Sequence, residues 1–298
     1  MERLQVTDDN NKALEQQIAS LTRAIDSLSK AVTPAADALD APPTDGNAFV
    51  FDADKCALQP VEHVSAPPLA LLIGIDRVKN SLLENSERFA KGFSANNALL
   101  WGARGMGKST LVKAVHRHLV EMLASAPALV EIHREDIAAL PRLLTLLRGS
   151  DRRFVLYCDD LSFNRPDQDF KALKSVLEGG LEGRPSNVIF YATSNRRHML
   201  PRQMIDQEGA TGIHPNEAMD ETIALSDRFG LWLGFHPCDQ SEYLAIIEAY
   251  IAEFGLRPQD DWKPAALEWA KTRGNRSGRT AWQFVQNLAG ELRQFVKF

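Results

Sequence analysis

The stretch Ala95-Asn-Asn-Ala-Leu-Leu-Trp101-Gly102-Ala103-Arg104-Gly105-Met106-Gly107-Lys108-Ser109-Thr110 sets an apolar run, a glycine-rich loop and a lysine-hydroxyl pair in immediate succession. It is a full GxxxxGK[ST] match, and the amphipathic residues 109–123 follow, so strand, loop and helix arrive in the order a phosphate-binding loop needs. The glycines let the loop close tightly, which points backbone N–H groups and the next helix N-terminus at a phosphate. Lys108 is then a mobile cation for the β and γ oxygens and Ser109 a ligand for Mg²⁺, so ATP and Mg²⁺ are the expected cofactors. A glycine turn that merely precedes a helix would leave the lysine, the hydroxyl and the strand unexplained together.

Downstream, Phe154-Val-Leu-Tyr-Cys158 is an apolar strand that ends on Asp159-Asp160. A carboxylate at that place, after a P-loop, holds Mg²⁺ (Asp159), and a second one stands beside it (Asp160). The next apolar strand, Val188 to Thr193, finishes on polar groups at Ser194 and Asn195. An amide there can both donate and accept without adding charge, which suits a lytic water or a phosphate oxygen. The plainer alternative is that residues 193–195 only begin a loop.

Working outward, the probable strands are 98–101, 128–133, 154–158 and 188–193, alternating with helices such as 109–123 and 170–178. That alternation predicts an α/β core with a parallel sheet covered on both faces. After Pro237 the pattern becomes wholly helical, over 240–254, 264–273 and 279–296, and predicts a small helical lid. Toward the N-terminus, Leu14, Ile18, Leu21, Ile25, Leu28 and Val32 step by four and three, a short coiled-coil seam. Barely three heptads are marginal alone, so the seam needs a partner helix, either in another subunit or partner or within the chain itself. Prolines and small or acidic residues at 33–48 read as a linker. The expected organisation is a coiled-coil helix (1–32), a linker (33–48), a nucleotide-binding core (49–236) and a lid (237–298).

The formal net charge of −5 gives no whole-chain attraction to nucleic acid. The tail departs from it: residues 261–298 hold seven basic and three acidic side chains, whereas residues 1–48 hold four basic and eight acidic. Cys56, Cys158 and Cys238 are odd in number and far apart, which reads as free thiols in a reducing compartment. The N-terminus has no basic patch before an apolar run, and no long uncharged apolar segment occurs, so a cytoplasmic protein with no membrane span is expected. His116 and His118, two positions apart on one helix, face apart and read as a solvated or capping pair.

Taken in order, the P-loop, Asp159-Asp160, Asn195, Arg228 in Leu-Ser-Asp-Arg-Phe-Gly and Arg279 in Gly-Asn-Arg-Ser-Gly-Arg-Thr resemble the AAA+ superfamily. The stretches NNALLWGARGMGKSTLVKA, CDDLSF, KALKSVLEGGLEGRPSN, YATSNRRH, LSDRFGLWLGF and GNRSGRTA are similar, more narrowly, to a bacterial family of AAA+ proteins catalogued as a domain of unknown function, over roughly residues 70–298. The resemblance implies that Asn195 is the first sensor and that Ile73 and Gly74 lie beside adenine. It also implies that Arg228 is a finger reaching the neighbouring subunit's γ-phosphate in a homo-oligomer, a role worth roughly 10³ to 10⁵ in rate where measured in GTPases. Arg279, or its competitor Arg276, becomes the lid sensor. The acid that polarises the attacking water is usually glutamate in that superfamily; here it is Asp160, one methylene shorter. In the narrower family an acidic residue commonly follows the Asp-Asp-Leu-Ser-Phe stretch, where this chain has Asn164.

Three functions compete. The first is an ATPase that remodels, loads or adapts a protein partner recruited by the N-terminal helix. The segment 131–139 lacks the aromatic, small apolar and glycine run of a chain-threading pore, which disfavours an unfoldase. The second is a nucleotide-gated switch in which Asp160 is too short for efficient turnover. The third is an ATP-dependent nucleic-acid factor similar to helicase loaders, with Arg273, Arg276 and Arg279 on phosphates. The polar residues 196–221 are long for a connection and are expected to meet a partner.

Overall fold

The computed structural model describes residues 43, 45–162, 168–178, 184–195 and 225–298, which all lie in one compact unit, Ala41–Phe298. The coiled-coil seam, most of the linker, Asn164 and the 196–221 stretch fall outside the described residues. Seven strands form one sheet: β1 (Ala48–Asp52), β2 (Ala57–Pro60), β3 (Ala98–Gly102), β4 (Ala128–Glu131), β5 (Phe154–Cys158), β6 (Val188–Ser194) and β7 (Leu231–Phe235). Their order is β2-β1-β4-β5-β6-β3-β7, with β2 antiparallel to β1 and every other pair parallel. The four expected strands are present. The chain adds β7 on one edge and the β1–β2 hairpin on the other, and β1 starts at Ala48, inside the expected linker.

The apolar runs are buried on both faces because helices cover both. From β5, Phe154, Leu156 and Cys158 enter one core, while Val155 and Tyr157 enter the other. The first core is closed by α3 (Leu140–Arg148) and α4 (Gln168–Glu178), the second by α1 (Asp76–Ala90) and α2 (Lys108–Met122). Such period-2 partition is what a sheet with two covered faces requires. A polar knot ties α1 to the entry of β3. Buried Asn85 donates to the Asn96 carbonyl (2.9 Å) and the Tyr191 hydroxyl (3.0 Å), and accepts from the Asn96 N–H (3.0 Å).

The lid is α5 (Gln240–Glu253), α6 (Trp262–Thr272) and α7 (Gly278–Glu291). Each helix has its own N-cap: Asp239 in a reciprocal capping box with Glu242, Asp261 on the Lys263 N–H, and Ser277 on the Thr280 N–H. These caps satisfy orphan donors and fix where each helix begins. A third core of Tyr243, Ile247, Ala266, Phe284 and Val285 holds the three together.

Two positions correct or sharpen the sequence reading. His116 is not solvated: it is 6% exposed, and neither ring nitrogen has a hydrogen-bond partner among the described residues. Burial depresses its imidazolium to about 4. Gly102 ends β3 at φ +141°, and a Cβ there would fall on the Phe235 carbonyl oxygen of β7. Only a glycine lets the loop leave the sheet at that point.

Two outcomes are expected. Because unfolding lets His116 bind a proton near pH 6.5 that the native state refuses until about pH 4, its contribution is full above pH 6.5 and declines as pH falls through that window. The wild type should lose up to about 3 kcal/mol more than His116→Phe between pH 7 and pH 4 in urea unfolding; parallel curves would remove His116 as the cause. Gly102→Ala should lower the unfolding free energy by at least ~2 kcal/mol, read from the same urea transitions.

Candidate functional site

Strands β5, β6 and β3 are neighbours and parallel, so their C-terminal ends deliver Asp159-Asp160, Thr193 to Asn195 and the Gly102 loop to one edge of the sheet. Ligands of open α/β sheets bind in the crevice outside such ends. A cavity of about 780 Å³ lies there, between the sheet edge and the lid.

The sequence-predicted residues distribute around it unevenly. Ile73, Gly74, Arg104, Gly105, Met106, Gly107, Lys108, Ser109, Thr110, Asp159, Asp160, Asn195 and Arg279 all line the cavity. Gly102 and Ala103 are not among the lining residues; their carbonyls instead accept from the Lys108 ammonium, both at 2.8 Å. Lys108 also donates to Asn195 Oδ1 at 3.0 Å. Burial lowers the Lys108 ammonium from its ordinary value, against the pull of Asp160 and Asp159. The cation is therefore pinned by three oxygens at the mouth of the loop.

Asp159 is the centre of a second cluster. Its Oδ1 accepts from Ser109 Oγ at 2.6 Å and from Thr193 Oγ1 at 2.5 Å. Burial alone would raise this carboxyl, but the hydrogen bonds from Ser109 and Thr193 outweigh it and hold it below the usual carboxylate value. The same Thr193 oxygen accepts from the Asp160 N–H at 2.9 Å. Asp160 sits at φ +50°, a turn conformation that Asp tolerates better than most side chains. Its carboxylate accepts from the Asn195 amide and lies 3.9 Å from an Arg104 Nη, with both side chains largely exposed.

Ser109 and Asp159 fit Mg²⁺. They are paired hard oxygens, and Mg²⁺ in phosphate sites takes only one or two protein carboxylates beside phosphate and water. No cluster of three or more His, Cys, Asp or Glu suited to a metal occurs among the described residues. His236 and Cys238 line the cavity without such companions. Burial pushes the Cys238 thiol up to about 12, which leaves it protonated and a poor ligand.

From the lid, the Arg279 N–H donates to the Gly105 carbonyl at 3.1 Å. Gly105 has φ +79°, and a Cβ there would lie 2.9 Å from Ser277 Oγ. The start of α7 is thus seated directly on the phosphate-binding loop. Arg279 lines the cavity and Arg276 does not.

Arg228 lies elsewhere. It is exposed just ahead of β7, whose first residue pairs with Ala98 at the start of β3. That places it at the N-terminal edge of the sheet, roughly 15 Å of strand from the loop, beyond the reach of one arginine side chain within the same chain.

A family profile described as "Protein of unknown function (DUF815)" matches residues 44–292. The chain belongs to the DUF815 family. No curated protein matches it in sequence. Among solved structures, the DUF815 chain is similar to the Thermotoga maritima RuvB Holliday junction branch migration motor, at 16% identity and a TM-score of 0.52 over 78% of this chain and 68% of that one. It is likewise similar to the Aeropyrum pernix ORC1 protein solved in complex with DNA, at 17% identity and 0.53 over 79% and 67%. Together with the strand order and the lid, these likenesses give an AAA+ P-loop fold; at such identities they speak for the fold alone. No described helix is long and apolar enough to cross a membrane.

Thr193, the last residue of the expected strand 188–193, is a site residue to which the sequence reading gave no role. Its signal was the two-residue period that puts Thr193 on the same side of the chain as Asn195, one residue past the end of β6. Trp282, Gln286 and the segment 296–298 also line the cavity and carried no motif. Thr193→Val should cost about 1–3 kcal/mol in unfolding free energy, because it strips a partly buried carboxylate and the Asp160 N–H of a shared partner. Thr193→Ser should retain most of it.

Proposed function

We propose that this DUF815 protein binds and hydrolyses ATP with Mg²⁺ as a homo-oligomer, and that it remodels, loads or adapts a protein partner. The observation that carries the reading is the assembly of Lys108, the Ser109–Asp159 pair, Asp160, Asn195 and Arg279 around one cavity, with Arg228 a strand length away.

In this reading Lys108 keeps its loop carbonyls and turns its remaining capacity to phosphate oxygens, while the loop N–H groups and the α2 N-terminus hold the rest. Mg²⁺, when bound, neutralises charge developing between the β and γ phosphates. Ser109 and Asp159 would hold it, and Thr193 keeps Asp159 aimed. Asp160 takes a proton from the attacking water, which Asn195 orients. Arg279 reads the phosphates in its own subunit. Arg228 is too far away to serve its own site, which favours action on a neighbour's. The N-terminal seam is proposed to recruit the partner, in a cytoplasmic setting.

Lys108→Ala should reduce ATP affinity by 100-fold or more in calorimetry, and normal affinity would refute the P-loop assignment. Arg228→Ala should bind ATP yet lose turnover roughly 10³-fold. Mixing it with Asp159→Ala should restore part of the rate, since one interface then joins two intact halves. Mixed assemblies without any rescue would contradict a finger in trans.

A second reading has its own support. The Asp160 carboxylate is engaged by the Asn195 amide and faces Arg104, which favours a nucleotide-gated switch with little turnover. On that reading Asp160→Glu raises the ATPase rate sharply; a robust wild-type rate that the substitution leaves unchanged favours the enzyme. The nucleic-acid alternative, on the basic tail, requires binding that falls steeply with salt.

A further inference from the structure

Arg279, Trp282 and Gln286 recur at intervals of three and four, which puts them on one face of α7, and all three line the cavity. The α7 backbone meets the phosphate-binding loop at Arg279. Seven residues of helix advance about 10 Å, so this face runs from the loop toward the far end of the cavity. Leu72 and Ile73 from the core and Ile246 from α5 add apolar side chains to the lining of the same cavity.

The chain returns to this far end after its last helix. Val296, Lys297 and Phe298 line the cavity although they belong to no helix or strand. Val296 is buried against the lid core. The Phe298 ring packs on three lid aromatics, with centroids 4.8 Å from Trp282, 5.0 Å from Phe254 and 5.6 Å from Tyr250. Its carbonyl oxygen accepts from the Ser65 hydroxyl of the core at 3.2 Å. One short segment therefore grips the lid by aromatic packing and the core by a hydrogen bond, and lines the same cavity.

We propose that residues 296–298 form a strap that walls the base and ribose end of the nucleotide site, with Phe298 buttressing Trp282 as the surface the base packs against. The inference rests on the reading of the P-loop as an ATP site and adds to it the residues that recognise the nucleoside. Phe298 and Ser65 are positioning residues in this scheme. The phosphate end, built from Lys108, Ser109 and Arg279, does not use them. Affinity for a nucleotide depends on the strap, and affinity for a bare phosphate chain does not.

The test is calorimetric titration of the full chain with ATP and with inorganic tripolyphosphate, each with Mg²⁺, in wild type, Phe298→Ala and Ser65→Ala. Wild type should bind ATP more tightly than tripolyphosphate. Phe298→Ala should weaken ATP roughly tenfold, the scale of one aromatic packing partner, and Ser65→Ala about threefold. Tripolyphosphate should change less than twofold in both. If the substitutions only unseated the lid, Arg279 would leave with it, and ATP and tripolyphosphate would weaken alike; that result overturns the strap. Unaltered ATP affinity in both variants overturns it as well and leaves the ATP reading standing. A wild type that binds neither probe overturns the ATP reading and the strap together.

Discussion

The hydroxyl of Thr193 ties the candidate site together. It donates to the Asp159 carboxylate and accepts from the Asp160 N–H, so one atom on β6 fixes both acids at the end of β5. Asp159 in turn receives Ser109 from the first turn of α2, which links the phosphate-binding loop to the same point. A buried carboxylate without such donors would resist ionising; with them it stays charged, as a Mg²⁺ ligand must. The parallel register of β3, β6 and β5 is what brings these three contributors within reach, and Gly102 is what lets the loop leave β3 in the right direction.

The lid is joined to this point by backbone as well as by side chain. The Arg279 N–H sits on the Gly105 carbonyl, and Ser277 packs where a Cβ on Gly105 would be. A change in the loop's conformation therefore meets α7 directly, and α7 is packed into the three-helix core behind it. The strap at 296–298 adds a second attachment at the other end of the cavity. Lid and core therefore meet at the phosphate end and also away from it.

Much of the fold was legible because its strong signals are local. The β3 run, the glycine loop and the helix after it are contiguous, and β5 and β6 are apolar runs that end on polar groups. The hairpin β1–β2 and the edge strand β7 were not legible. Ala57 to Pro60 is half exposed and shows no buried strand's apolar run; Leu231 to Phe235 is apolar, but only five residues long and set apart from the other strands by the long polar stretch 196–221, and pairing with β3 is what makes it a strand. His116 misled for a related reason, since an imidazole on an amphipathic helix looks solvated until the fold buries it. At the site, residue types with a fixed chemistry at a fixed spacing could be read. Trp282 and Phe298 could not, because their places depend on which strands and helices become neighbours.

Arg228 separates the account from a simpler one in which each chain hydrolyses ATP alone. Its place at the opposite edge of the sheet leaves the chain's own cavity without that arginine, so turnover should require a second subunit. The most direct measurement is the ATPase rate per subunit against protein concentration, with sedimentation run in parallel under the same ATP and Mg²⁺ conditions. The account predicts a rate that is negligible while the protein is monomeric and rises with the oligomer fraction. A substantial rate per subunit that stays constant from monomer to oligomer would contradict it.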